Sequence, residues 1–188
     1  MDTTSNNKIK IEKKPIIFTF TGQALHGKTS SVQILQKMIK ECGKKALAIS
    51  YSDYVQYMAR QYCGWDGSKD ESGRNFLNIL SIDKIRTKKP SFWFDIVFRV
   101  VDVLSDDYDY ALIDGCRFEN EINQWKDEGY HIISVHVKRK NFDNGLTEKL
   151  KNHPSETALN HFKFDQHLYA ENLTELEDEI RNKLKPLL

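Results

Sequence analysis

The segment from Thr21 to Ser30, "TGQALHGKTS", constrains this chain more than any other. Gly22, Gly27, Lys28 and Thr29 satisfy the pattern G-x-x-x-x-G-K-[ST]. Before it runs "PIIFTFT" (Pro15 to Thr21), a short apolar stretch rich in β-formers. After it, Val32, Leu35, Ile39 and Cys42 recur at helical spacing, and Gly43 is a natural stop. Strand, glycine loop and helix together form the context in which the pattern has a physical meaning. Such a loop wraps a phosphate with backbone N–H groups, so glycine is needed where a side chain would block approach or forbid the dihedral. The helix N-terminus adds free donors and a favourable dipole. On this reading Gly22, Gln23, Ala24, Leu25, His26, Gly27, Lys28, Thr29 and Ser30 form the cradle. Lys28 reaches the β- and γ-phosphates, and Thr29 ligates Mg²⁺. The competing reading, a chance match in a glycine-containing turn, does not account for the flanking strand and helix.

The rest of the chain alternates in the same way. "KKALAIS" (Lys44 to Ser50), "DYALID" (Asp109 to Asp114) and "HIISVHVK" (His131 to Lys138) read as strands, with "FKFDQHLYA" as a poorer fifth. Helical stretches are expected over Tyr51 to Tyr62, around Arg74 to Thr87 and around Ser91 to Leu104. "GWDGSKDESG" (Gly64 to Gly73) reads as a loop. "RFENEINQWKDEG" reads as a helix ending at Gly129. Residues 139–154 are polar and irregular, with "NFDNG" as a turn and a short helix from Ser155. Thr174 and Glu177 have capping-box spacing and open a last helix with Leu176, Ile180 and Leu184 on one face. Alternating strands and helices predict a parallel sheet with helices on both faces. One domain over 15–188, preceded by a polar arm over 1–14, is the economical organisation.

Composition narrows the partners. The formal net charge is +1 over 188 residues, so bulk electrostatics gives no case for a nucleic-acid polymer or an acidic membrane. No apolar stretch is long enough to span a bilayer, and "MDTTSNNKIKIEKK" lacks the apolar core of a signal peptide. Cys42, Cys63 and Cys116 form no C-x-x-C pair, which points to a reducing cytoplasmic setting rather than a disulfide framework or zinc site. The six histidines show no metal-ligand spacing.

Several residues qualify for chemistry around the loop. Asp114 ends an apolar strand, where the ligand crevice of a doubly wound sheet lies, and either holds Mg²⁺ or caps the helix that follows. Arg117 either reaches a transferring phosphoryl group or pairs with Glu121 one helical turn on. Asp53, at another strand end, either contacts an acceptor or caps its helix. Arg74, Arg86, Trp93, Phe94 and Arg99 offer forks for phosphate and faces for a base, although amphipathic packing with solvated arginines explains them equally. Lys138, Arg139 and Lys140 follow the fourth strand directly, where a lid over phosphates would hinge.

Taken in order, these pieces resemble the P-loop deoxynucleoside monophosphate kinases of bacteriophages and bacterial genomes, especially the short adenylate kinase-like forms. The resemblance rests on "GQALHGKTS", "SDYVQYMARQYCGWDGSKDESGR", "RTKKPSFWFDIV", "IDGCRFENEI", "VKRKNFDNGLTEKLKNHPSETAL" and "AENLTELEDEI". It implies a three-layer α/β P-loop NTPase fold with a five-stranded parallel sheet in the order 2-3-1-4-5. It implies an acceptor-binding helical region over about 51–105 and a lid over about 139–155. The implied reaction moves the γ-phosphoryl group of ATP, with Mg²⁺, to a (deoxy)nucleoside monophosphate. Lys28, Asp114 and Arg117 are its implied catalytic residues, Thr29 and Asp114 its metal ligands, and Arg139 an ATP contact. Asp53, Arg74, Arg86, Trp93 and Glu156 are its implied acceptor-side residues, with His153, Ser155 and Glu156 matching an "H-x-S-E" segment beside the lid. Members of that family include dimers, so a homodimer is open to the chain, although no self-complementary patch is readable. The sequence departs from the family at Gln56, Asn78, Ser81 and Ile82, all on the acceptor side. Two alternatives therefore stay open: a P-loop kinase for another small phosphorylated acceptor, and a catalytically weak nucleotide-binding regulatory protein.

Overall fold

The computed structural model describes residues 14–188; the expected N-terminal arm lies outside them except for Lys14. The first strand, β1 (Ile16–Thr21), alternates its side chains between two apolar layers. Phe18 and Phe20 enter one layer, and Ile17 enters the other. The remaining strands are β2 (Ala46–Ser50), β3 (Tyr110–Asp114), β4 (Ile132–Arg139) and β5 (Gln166–Ala170). All pair in parallel, in the order β2-β3-β1-β4-β5. The chain therefore has the expected three-layer α/β P-loop architecture. The centre of the sheet is covered on both faces, so its strands read as near-continuous apolar runs.

The register matters for the site. Phe20 and Ser50 both pair with Asp114, and Thr21 pairs with His136. The carboxyl ends of β1, β2 and β3 thus come level along one edge, and β4 runs three residues beyond them to Arg139. Everything that follows a strand there opens onto the same crevice.

One layer is built by α1 (Lys28–Glu41) and α8 (Leu173–Lys183), which pack Val32, Leu35, Ile39, Leu176 and Ile180 against the phenylalanines of β1. The other is built by α2 (Tyr51–Cys63), α4 (Phe92–Val103) and α5 (Asn120–Asp127). Its centre is an aromatic cluster in which Trp125 meets Phe94 and Tyr130 edge-on at 5.1 and 5.4 Å. Among the described residues, no helix is long and apolar enough to cross a membrane.

Several local expectations shift. Gly73 does not close the 64–70 loop but lies inside α3 (Glu71–Asn78), which Asp70 caps by accepting the Gly73 N–H at 2.8 Å. The stretch expected as one helix over Arg74 to Thr87 divides instead. Its second part, Ile79–Arg86, is a π-helix. Ser81 Oγ donates to the Leu77 carbonyl at 2.7 Å across the junction, a local bond of the kind that bends helices. The last helix is opened not by Thr174 and Glu177 but by Asn172 and Glu175. Asn172 accepts the Glu175 N–H at 3.0 Å, and the Glu175 carboxylate reaches back to the Glu171 N–H at 3.1 Å. The short helix before β5 starts at Pro154, in α7 (Pro154–Thr157), after a four-residue helix α6 (Glu148–Lys151).

Candidate active site

The Thr21 to Ser30 loop forms a closed bend between β1 and α1. Gly22 is required twice over. Its φ is 139°, and a Cβ there would lie 2.2 Å from the Val137 carbonyl oxygen in β4. Leu25 adopts a φ of 66°, a left-handed conformation that costs a non-glycine residue roughly 1–2 kcal/mol. Its side chain is 58% exposed at the mouth of the crevice. Helix α1 begins without a side-chain cap, which leaves the donors of its first turn to a ligand.

Around the loop lies a cavity of about 310 Å³. Lys28, Thr29, Asp114 and Arg117 line one side of it. The Thr29 hydroxyl donates to Asp114 Oδ2 at 2.6 Å, so two hard oxygen donors converge at the strand edge. That donor set fits Mg²⁺, which takes one or two protein oxygens and completes its shell with phosphate and water. No cluster of three or more His, Cys, Asp or Glu side chains competes for a metal among the described residues. The Lys28 ammonium donates to the Gln23 carbonyl at 2.9 Å. Burial, and then the neighbouring Arg117 guanidinium, bring its pKa down to about 7. An arriving phosphate would favour the charged form.

Arg117 resolves one of the open choices. Its guanidinium does not pair with Glu121. It bonds the Gly22 carbonyl at 3.2 Å, the Ser155 carbonyl at 3.0 Å and Glu156 Oε1 at 2.8 Å. Glu121 is engaged instead with the backbone: its Oε2 accepts the N–H groups of Arg117 at 2.6 Å and Phe118 at 3.1 Å. The same buried carboxylate pairs with Arg86 through Oε1. Burial pushes the Glu121 carboxyl up, against the pull of Arg86. Glu121 therefore fixes the turn that carries Arg117. Its signal in the sequence is a charge on the apolar stripe of α5, beside Ile122 and one turn before Trp125.

Another wall comes from two helical faces. Ser52, Val55 and Gln56 project from α2, and Arg74, Leu77, Asn78, Ser81 and Ile82 from α3 and the π-helix. All four positions where the sequence departs from the family it resembles lie on this wall. Arg74 bonds the Lys69 carbonyl at 2.9 Å, and no carboxylate pairs with it among the described residues. Lys69, which sequence reasoning missed in its turn-rich loop, lines the cavity beside it. Arg86 lines the cavity too, but it is held by Glu121, by Asn120 at 3.1 Å and over the Phe118 ring at 3.9 Å. Trp93 is buried and donates its indole N–H to the Ser81 carbonyl at 3.0 Å, which props the π-helix at the wall.

Asp53 and Arg139 stand apart from these. Neither lines the cavity. The Asp53 carboxyl is raised by burial and by the nearby Asp114. Arg139 lays its guanidinium over Phe142 at 4.3 Å and bonds the Glu171 carbonyl, while its N–H is accepted by His26 Nδ1 at 3.0 Å. Glu156 sits on the loop itself, where its Oε2 accepts the Ala24 N–H at 2.9 Å. His153 caps α7, its Nδ1 accepting the Ser155 N–H at 3.3 Å.

Comparison with known proteins reaches the fold but not a family. No protein-family model and no curated protein matches the chain. Among solved structures, the chain is similar to the APS kinase CysC of Mycobacterium tuberculosis in complex with AMPPNP and APS. Identity is 14% over 92% of this chain and 98% of that one, with a TM-score of 0.50. A cysteine-to-alanine mutant of the same kinase matches at 15% identity over 92% and 98% of the two chains, with a TM-score of 0.49. The hexameric APS kinase of Thiobacillus denitrificans matches at 11% identity over 94% of this chain and 30% of its own, with a TM-score of 0.47. At such identities the likeness is one of fold: this chain has the fold of P-loop kinases.

Proposed function

We propose that the chain is a P-loop kinase that moves the γ-phosphoryl group of ATP to the phosphate of a (deoxy)nucleoside monophosphate. The observation that carries this reading is one cavity lined by two unlike sets of groups. Lys28, Thr29, Asp114 and Arg117 line it together with the basic and amide groups of Lys69, Arg74, Gln56 and Asn78. A triphosphate on the first set and a phosphorylated acceptor on the second would bring both reacting phosphates into the same space.

The chemistry follows from positioning and charge neutralisation. Backbone N–H groups of the loop and of the first turn of α1 hold the triphosphate. Lys28 compensates its charge, and Arg117 lies within reach of the group in transfer. Thr29 and Asp114 would hold Mg²⁺, which supplies charge neutralisation on the phosphate oxygens when bound. The acceptor phosphate is already an anion, so no general base is required. Arg74 and Lys69 supply positive charge where that anion enters.

The test is an acceptor screen with purified protein, ATP and Mg²⁺ against all nucleoside and deoxynucleoside monophosphates. A diphosphate product from one or a few of them is expected. Because the fold neighbour is a kinase in complex with APS, a sulfated nucleotide belongs in the panel. Product from that arm alone would replace the monophosphate reading. Lys28→Ala should lower turnover by about two to three orders of magnitude while the thermal melt stays cooperative. Wild-type turnover in that variant would overturn the mechanism.

A further inference from the structure

The phosphate cradle already holds an anion that belongs to the chain. Glu156 is 132 residues from Ala24 in sequence, yet its Oε2 accepts the Ala24 N–H at 2.9 Å. Its other oxygen, Oε1, takes the Arg117 guanidinium at 2.8 Å. A carboxylate with one oxygen on a loop amide and the other on an arginine is bonded as a phosphate oxygen pair would be. The Glu156 side chain is only 9% exposed, so both bonds are shielded from water.

The reason lies in the charges around it. Lys28 and Arg117 converge there, and Arg74 lies close enough to push the Lys28 pKa down further. Without a counter-anion, these cations repel one another in a poorly solvated space. Glu156 and Asp114 relieve the repulsion, and both pull the Lys28 pKa upward. Glu156 arrives on α7, a four-residue helix that ends the polar stretch after β4 and is tied down where Arg117 bonds the Ser155 carbonyl at 3.0 Å.

We propose that Glu156 is a positioning residue that holds Arg117 and the Ala24 amide and yields both to an incoming triphosphate. This rests on the proposed kinase reading, and it replaces the acceptor-binding role that the family resemblance implies for Glu156. The triphosphate carries more negative charge than the carboxylate and presents its oxygens to the same donors. The Ala24 amide has a single proton and cannot serve both anions, so binding expels Glu156 from it. Arg117 then turns from the Glu156 carboxylate and the Ser155 carbonyl to the phosphoryl group in transfer, and α7, having lost these ties and the bond to Ala24, leaves the loop. Nucleotide binding is thereby coupled to movement of residues 153–158.

The experiment is calorimetric titration of wild type, Glu156→Gln and Glu156→Ala with AMPPNP and, separately, with the nucleoside monophosphate that turns over best. Hydrogen exchange over 153–158 is measured in each protein, free and with AMPPNP. Both variants should bind AMPPNP about tenfold more tightly, because a competing anion is gone. In wild type, exchange over 153–158 should accelerate on binding; in free Glu156→Ala, which lacks both Glu156 bonds, it should already be faster than in free wild type. The wild-type exchange measurement stands on its own if a variant folds poorly. Unchanged or weaker AMPPNP affinity in the folded variants overturns the proposal, as does slower wild-type exchange on binding. Loss of monophosphate affinity with AMPPNP affinity unchanged would make Glu156 an acceptor ligand instead. If wild type binds no AMPPNP at all, the kinase reading itself fails and this inference falls with it.

Discussion

At the scale of single residues, the loop from Gly22 to Thr29 was legible because its chemistry is local. Neighbouring amides must face one ligand, and only a few residue types allow the bend. Asp114 and Arg117 were legible as candidates because they follow a strand. What each does was not, since Arg117 has two plausible anions, and sequence spacing favours the nearer one, Glu121. The structure gives the guanidinium to Glu156 and the backbone N–H to Glu121. Glu121 is therefore the residue whose loss should reach furthest. It is buried, satisfies two backbone donors and neutralises Arg86, whose Nε has no hydrogen-bond partner among the described residues. Glu121→Ala should cost about 3–5 kcal/mol in urea denaturation, because Arg86 would be left buried without a counter-charge. Glu121→Gln keeps an acceptor for the two N–H groups and should cost less. A loss below about 1 kcal/mol in the alanine variant would mean that the turn at 115–118 is held by something else.

At the scale of elements, strands were easier to read than the helices that line the cavity. Four of the strands are short apolar runs that end at turn residues, and that pattern survives in the fold. Between β2 and β3 the sequence reads as three helical stretches with a loop over Gly64 to Gly73, but the break inside the Arg74 to Thr87 stretch is not readable. The π-helix at Ile79–Arg86 leaves no mark in hydrophobic periodicity, and the Trp93 bond to the Ser81 carbonyl that abuts it joins residues on different helices. Gly73 was misplaced for a related reason. A glycine at the end of a turn-rich run looks like a loop terminus, yet here its backbone is helical and its missing side chain is what counts. A Cβ at Gly73 would lie 2.1 Å from the Ser68 carbonyl oxygen, so the loop that carries Lys69 packs directly on this helix. Gly73→Ala gains intrinsic helix propensity but must push that backbone away. The clash should win, at about 1–3 kcal/mol of net destabilisation by urea unfolding, with faster hydrogen exchange over 64–70. A more stable alanine variant would show that the loop yields freely.

At the scale of the whole molecule, the strand order followed from the family resemblance, whereas alternation alone predicts only that the sheet is parallel. The order matters because it sets β4 beside β1 and so sets His136 opposite Thr21, where the glycine loop begins. There the imidazole stacks on Phe164 at 5.1 Å and meets His167 at 5.7 Å. Burial, then His167, Lys138, His26 and Lys28, bring its pKa down to about 4. The sign of the linkage follows directly. The unfolded chain takes up the His136 proton near pH 6.5, whereas the folded one resists until about pH 4, so protons favour unfolding between these values. Stability is complete above about pH 6.5 and falls as the pH drops through that window. The ring is partly exposed, and solvent screening reduces the effect to about 1 kcal/mol between pH 7 and pH 5. His136→Phe keeps the stacking on Phe164 and removes the titration. The difference in unfolding free energy between variant and wild type should therefore shift toward the variant by about that amount as the pH falls from 7 to 5. Parallel pH profiles for the two proteins would mean that His136 titrates alike in the folded and unfolded chains, and that the acid sensitivity of the molecule lies elsewhere.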